Sequence, residues 1–148
     1  MVELTTKHTL DKAILDEELA KKSEWNKVLI FDNEGKVITT KNLTEKVPAE
    51  EIKLFMGCLE SRDKIVASGF DLLGTHYEVL RFHPPLVYGR TGESSIEWKG
   101  EGIAYCRVKS KVNNSYVHIV ITYLLPVVSA KSVPEMQEFA KTFIGECE

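Results

Sequence analysis

The sequence predicts an α+β fold, an α/β sandwich in which helices cover both faces of one central antiparallel sheet. Two observations lead to this fold class. Residues 61–123 alternate apolar and polar side chains between short turn motifs, which is typical of consecutive antiparallel strands. Segments with helical spacing of apolar residues stand before, between and after the strand patterns. We expect the terminal helices on one face of the sheet and a middle helix on the other.

The first predicted helix spans Leu10–Lys22. Thr9 is a favourable N-cap residue, and residues 1–8 are expected to form a flexible extension, so the predicted domain spans residues 9–148. One side of this helix is predicted to carry Leu10, Ala13, Ile14 and Glu17, with Leu15 and Leu19 widening the apolar stripe.

A hairpin and a second helix are predicted next. Lys27–Phe31 and Val37–Thr40 are predicted strands, and the turn between them, Asp32–Gly35, has the residue types that favour tight turns. Pro48 suits the first turn of a helix. The apolar face of that helix is predicted to consist of Ile52, Phe55, Met56 and Leu59.

Five strands and a last helix complete the predicted order. The strands are predicted at Ile65–Phe70, His76–Phe82, Leu86–Arg90, Ile103–Lys109 and Tyr116–Tyr123. Ser132 and Glu135 have the spacing of a capping box, and Pro134 would lie in the first turn of the last helix. The buried face of this helix is predicted to carry Met136, Phe139, Ala140 and Phe143.

Composition and motifs exclude several classes of function. A net charge of −3 does not favour nucleic acid as a partner, and no apolar run is long enough to span a membrane. The three cysteines are widely spaced and odd in number, which favours a reducing compartment over a disulfide framework. No zinc-ligand spacing and no nucleophile or P-loop motif is present. We therefore predict a protein that is not an enzyme and has no metal or cofactor.

Alternation along the later strands predicts a binding surface. On Ile103–Lys109, one face is predicted to hold Ala104, Cys106 and Val108 inside and the other to expose Tyr105, Arg107 and Lys109. Tyrosine and arginine are enriched at interface hot spots. The preceding strands are predicted to add His76, Arg81, Tyr88 and Arg90 to this surface. An ordinary solvated face explains the same pattern equally well.

Three segments of the chain resemble profilins. They are "GFDLLGTHYEVLR" (Gly69–Arg81), "GIAYCRVK" (Gly102–Lys109) and "TYLLPVVSAKSVPEMQEF" (Thr122–Phe139). The order of predicted elements over residues 10–143 is similar to the same family, so the resemblance implies a profilin-like sheet with the helix arrangement predicted above. The divergence and the many lysines resemble the profilins of Asgard archaea most.

The resemblance implies an actin-monomer-binding protein of the cytoplasm and cytoskeleton. It would regulate polymerisation by sequestering monomers or delivering them to filament ends, without enzymatic activity. In profilins the actin-binding face joins the later strands to the start of the last helix. Together with the surface predicted above and a tryptophan in an inserted loop, this implicates His76, Arg81, Tyr88, Arg90, Trp98, Tyr105, Arg107, Val128, Lys131 and Glu138.

The chain also departs from the profilin pattern. The first helix has no aromatic residue, so the usual polyproline-binding groove is not predicted. Thr91–Lys99 resembles an insertion, and its Trp98 would either anchor a partner or fold onto its own core. A phosphoinositide is a weaker candidate partner, because only dispersed Lys and Arg support it.

Two other classes of function stay open at this level. The segment "VLIFDNEGKVITT" (Val28–Thr40) is similar to the opening of roadblock and longin adaptors, which serve small GTPases and trafficking complexes. A PAS-like sheet that senses a small ligand would require a pocket.

Overall fold

A computed structural model describes residues 11–91, 100–124 and 127–148. The helices of these ranges are α1 (Lys12–Ala20), α2 (Ala49–Gly57), α3 (Arg62–Ser68) and α4 (Ser129–Phe143). The strands are β1 (Lys27–Asp32), β2 (Val37–Lys41), β3 (Phe70–Leu72), β4 (Thr75–His83), β5 (Leu86–Thr91), β6 (Glu101–Ser110), β7 (Tyr116–Leu124) and β8 (Gly145–Cys147).

The strands form one antiparallel sheet in the order β2-β1-β7-β6-β5-β4-β3, with β8 paired to β6. Helices α1 and α4 pack on one face, called the front face here. Helices α2 and α3 pack on the other, called the back face. The predicted fold class is therefore confirmed, with the terminal helices together and the middle helices opposite them.

Aromatic side chains pack against both faces of the sheet. On the front face, Trp25 meets Phe139 of α4 edge to face, with ring centroids 5.5 Å apart. On the back face, Phe55 of α2 stacks on Phe70 at 4.7 Å and lies parallel to Tyr105 at 6.4 Å. Large rings are buried on both faces, so the central strands carry apolar side chains on both sides. The sheet is therefore the middle layer of the sandwich.

Helix α1 differs from the prediction in its cap and its buried side. Asp11 is the N-cap and accepts a hydrogen bond from the Ala13 N–H at 2.9 Å. The predicted cap Thr9 lies outside the described residues. Leu15 and Leu19 are the buried side chains, whereas Ile14 is 46% exposed. The helix is rotated relative to the prediction because Asp16 accepts a hydrogen bond from Thr39 of β2, which ties that side of α1 to the sheet.

The predicted strand Ile65–Phe70 was wrong. Ser61 accepts a hydrogen bond from the Lys64 N–H at 3.3 Å and begins helix α3, which ends before Gly69. Gly69 has a φ of +70°, a left-handed conformation that favours glycine and lets β3 start directly at Phe70. A serine that caps a short helix therefore outweighed the apparent strand pattern.

Helix α4 begins earlier than its predicted capping box. Val128 is the N-cap, and its carbonyl accepts from the N–H groups of Lys131 and Ser132, each at 3.0 Å. Ser132 therefore lies within the helix, buried in the front core, and does not cap it. Pro134 is inside the helix as well.

Candidate functional site

The front side of β4 and β5 carries a set of side chains that the terminal helices leave accessible. His76, Glu78, Leu80 and Arg81 of β4 are exposed, and Tyr88 and Arg90 of β5 are half-buried. The register pairs Glu78 with Arg90 and Arg81 with Tyr88. Directly paired residues project to the same side of a sheet. We call the set His76, Glu78, Leu80, Arg81, Tyr88 and Arg90 the open face.

A β-bulge shapes the open face. The register of β4 and β5 shifts between Val79 and Arg81, which leaves Leu80 without a directly paired residue. Val79 and Phe82 pack in the back core, so Leu80 and Arg81 are two consecutive residues on the front side. The bulge thus places an apolar and a cationic side chain next to each other, and Leu80 is 62% exposed.

Arg90 of β5 lies across β6 from Tyr123 of β7, which contacts the start of α4. It pairs with Gly102 of β6, and a side chain at Gly102 would overlap the ring of Tyr123. The Tyr123 hydroxyl is hydrogen-bonded to Ser129 of α4 at 2.6 Å. Burial raises the pKa of Tyr123, while the Ser129 hydroxyl and the Arg90 charge act to lower it.

The Arg90 guanidinium is incompletely paired. Its Nη1 atom is buried and has no hydrogen-bond partner among the described residues. A buried donor without an acceptor is costly, so this end of the Arg90 guanidinium is not stabilised by the described residues.

Two predicted surface residues lie on the back face instead. Tyr105 was expected to be exposed, but it is 0% exposed in the back core and hydrogen-bonds His118 at 2.7 Å. That expectation was wrong because β6 is a central strand with both faces covered. Arg107 donates to the Glu148 backbone oxygen at 2.5 and 3.1 Å and lies 4.2 Å from the Tyr116 ring. The structure therefore does not bring Arg107 together with the open face.

The residues predicted around the start of the last helix also lie in different places. Val128, directly before α4, is 46% exposed. Lys131 forms an ion pair with Glu24, which follows α1, and so faces the α1 side of the helix. Glu138 is two turns further along and shares that side with Lys131. Trp98 lies outside the described residues.

His76 is held between two carboxylates. Its Nδ1 lies 2.8 Å from Asp71 and its Nε2 lies 3.5 Å from Glu78. The described ranges contain no group of three or more His, Cys, Asp or Glu side chains that could hold a metal ion. His76 therefore contributes a polar edge to the open face.

Sequence reasoning missed two exposed leucines, one on the open face and one at the end of β7. Leu80 is in the same alternation phase as His76 and Glu78, and that phase was a usable signal. Leu124, 48% exposed at the end of β7, gave no such signal because its strand is apolar on both faces.

His118 lies in a buried polar chain on the back face. Its Nε2 is 2.9 Å from the Asn33 side-chain oxygen, and its Nδ1 is 2.7 Å from the Tyr105 hydroxyl. A neutral ring that donates from Nε2 and accepts at Nδ1 satisfies both partners. Burial, and secondarily the Arg107 charge, lowers the pKa of His118 from 6.5 to about 4.

This shift predicts a loss of stability in mild acid. Between pH 6.5 and about 4 the unfolded chain binds a proton at His118 that the folded chain does not. Stability is therefore complete above this window and falls within it. We expect the free energy of unfolding to fall about 2.5 kcal/mol more in the native chain than in His118→Gln between pH 7.5 and 4.5, measured by urea denaturation. Equal pH slopes in both proteins would contradict this, and His83→Gln, at an exposed site, should behave as native.

A separate cavity lies far from the open face. It occupies about 630 Å³ between the β1–β2 turn and α2, with Val37, Val47, Ile52 and Met56 among its lining residues. It is an open groove between secondary-structure elements.

None of the described helices is long and apolar enough to cross a membrane.

Solved structures similar to this chain include several profilins. Profilin IA of Acanthamoeba castellanii has a TM-score of 0.70 and 20% identity, with 88% of this chain and 94% of that chain covered. Schizosaccharomyces pombe profilin has a TM-score of 0.68 and 17% identity, over 88% and 94% of the two chains.

LokiProfilin1, solved in a complex with rabbit actin, has a TM-score of 0.64 and 13% identity, over 88% and 91% of the chains. LokiProfilin2, also solved with rabbit actin, is a further neighbour, and the two support the predicted likeness to Asgard archaeal profilins. At these identities the likeness shows the fold alone.

The sequence itself gives the family. No curated protein sequence matches this chain. A family model described as Profilin matches residues 12–144, which include β4, β5 and the whole of α4. This chain belongs to the profilin family.

Proposed function

We propose that this protein binds actin monomers through its open face and thereby regulates actin polymerisation in the cytoplasm. The observation that carries the proposal is the profilin family match, together with the fold shared with two profilins that were solved in complex with rabbit actin. Profilins are a non-enzymatic, actin-binding family. By covering one end of the monomer, the protein would sequester it or deliver it to filament ends.

The open face has the chemistry that such an interface requires. Arg81 is exposed and Arg90 is half-buried, and the positive charge of both side chains attracts acidic side chains of a partner. Leu80 and Tyr88 supply apolar and aromatic contact area between these charges. Val128, exposed before α4, extends the surface toward the helix start.

Titration of monomeric actin tests the proposal. We expect saturable binding and a dose-dependent slowing of spontaneous polymerisation of pyrene-labelled actin. Because arginines steer the association, the affinity should fall several-fold when the salt concentration is raised from about 50 to about 200 mM. Absence of binding, both to a standard actin and to actin from the same organism, would overturn the proposal.

The other predicted classes and partners have less support. The profilin match includes the hairpin segment Val28–Thr40 on which the adaptor alternative rested. For polyproline, Trp25 and Phe139 are buried and Phe143 is half-buried between the terminal helices, so few aromatic faces are presented to a ligand. A phosphoinositide stays a predicted partner, and sedimentation with phosphoinositide vesicles tests it.

A further inference from the structure

The cysteines of this chain have different environments. Cys58 is buried in the back core. Cys106 is 0% exposed in the front core. Cys147, on the short strand β8, is half-buried and packs against the same front core. All are free thiols, and the sheet separates Cys58 from the other two.

Strand pairing brings Cys106 and Cys147 together. The pairing of β8 with β6 sets Cys147 opposite Val108. Cys106 is two residues from Val108, so both project to the front side. The Cys106 and Cys147 side chains are therefore diagonal neighbours on adjacent strands, and both pack in the front core.

The two thiols are chemically unequal. The neighbouring Cys106 thiol lowers the pKa of Cys147, whereas the neighbouring Cys147 together with burial raises the pKa of Cys106. The thiolate is the form that reacts with oxidants. The half-buried Cys147 is thus the thiol that an oxidant reaches first, and the protonated Cys106 is its neighbour.

The backbone around Cys147 allows a bond to close. Diagonal positions on neighbouring strands lie about 7–8 Å apart, beyond the Cα separation of about 4.4–6.8 Å that disulfides usually have, so the backbone must move for the bond to form. Strand β8 has only 3 residues, and its pairing with β6 involves only Cys147, Glu146 and Gly145. Closing the bond would require this short strand to shift toward Cys106 until the two sulfur atoms are within bonding distance.

We propose that Cys106 and Cys147 are a redox-modification site, which closes into an intramolecular disulfide when a peroxide oxidises Cys147. In the first step the Cys147 thiolate attacks one peroxide oxygen, takes up a proton and becomes a sulfenic acid, while water leaves. In the second step Cys106 attacks the Cys147 sulfur, its proton leaves with the hydroxyl as water, and the S–S bond forms. Two thiols and one hydrogen peroxide thus give one disulfide and two waters.

The disulfide would link β8 covalently to β6. Strand β8 is otherwise held to β6 by its short pairing and by the contacts of Glu148 with Arg107. A bond between Cys106 and Cys147 closes a loop that includes β7 and α4, which restricts the unfolded chain. We expect the oxidised protein to unfold at a midpoint roughly 5–10 °C above that of the reduced protein.

Mass spectrometry of the full chain after treatment with hydrogen peroxide tests this site. We expect a loss of two hydrogen masses, one thiol still open to alkylation in denaturant, and one cross-linked peptide that joins Cys106 to Cys147. Cys58→Ser should form the same cross-link. Cys147→Ser, at a half-buried position that should tolerate the change, should form none.

Two results would overturn the proposal. One is oxidation of Cys147 to sulfinic or sulfonic acid while Cys106 stays open to alkylation in denaturant. The other is a disulfide that includes Cys58 or joins two chains. Circular dichroism of each variant identifies any that fail to fold, and the peptide map of the native protein decides the question without them. The result does not depend on actin binding.

Discussion

Reversing both open-face charges, with Arg81→Glu and Arg90→Glu in one chain, is expected to weaken binding to monomeric actin at least about 30-fold, or about 2 kcal/mol. Both arginines project from the front side of adjacent strands, and each reversal replaces an attraction with a repulsion toward acidic groups of the partner. Fluorescence titration of labelled actin monomers at fixed salt measures the change in affinity.

The matched control is a double reversal elsewhere. Arg62→Glu with Lys64→Glu makes the same change in net charge on α3, where both side chains are exposed on the opposite face. It should leave the affinity within about twofold, because only long-range steering is altered. If the two double variants lose affinity equally, net charge explains the effect and the open face does not. Thermal unfolding of each variant shows whether it is folded.

The layer arrangement of the fold was predictable from periodicity. Helical spacing in α2 identified Ile52 and Phe55 as core residues, and both are buried. The predictions that were wrong concern short segments in which two local sequence signals pointed to different structures. Ser61 begins a helix where the following residues suggested a strand, and α4 begins three residues before the apparent capping serine. Short segments carry too few apolar residues for periodicity to decide, so the packing of the whole chain decides them.

The exposure of a side chain was predictable where a strand has one open side. Arg81 and Arg90 were predicted from strand alternation and the profilin resemblance, and both lie on the accessible front side because β4 and β5 are toward the edge of the sheet. The same alternation led to the wrong prediction that Tyr105 is exposed. Helices cover both faces of β6, so most residues of this strand are buried on either side. Alternation in a sequence separates two faces, and it does not say whether either one meets solvent.

The geometry of the open face depends on a glycine that sequence reasoning did not single out. Gly89 of β5 pairs with Val79 beside the bulge, and a Cβ atom at Gly89 would overlap the carbonyl oxygen of Glu78. The overlap is with backbone atoms, so no change of rotamer relieves it. Close approach of β4 and β5 at this point is what lets the bulge turn Leu80 and Arg81 to the same side.

Gly89→Ala is therefore expected to lower the free energy of unfolding by about 3 kcal/mol or more, because the two strands must separate or the bulge must rearrange. Urea denaturation measures the loss. Gly57→Ala at the end of α2 is the matched control, since the nearest atom to its new Cβ is 3.9 Å away, and it should be neutral or slightly stabilising. A Gly89→Ala protein as stable as Gly57→Ala would show that the strands are not closely packed here. If the protein stays folded, the displaced Arg81 should also weaken actin binding, which would link the packing at this glycine to the proposed function.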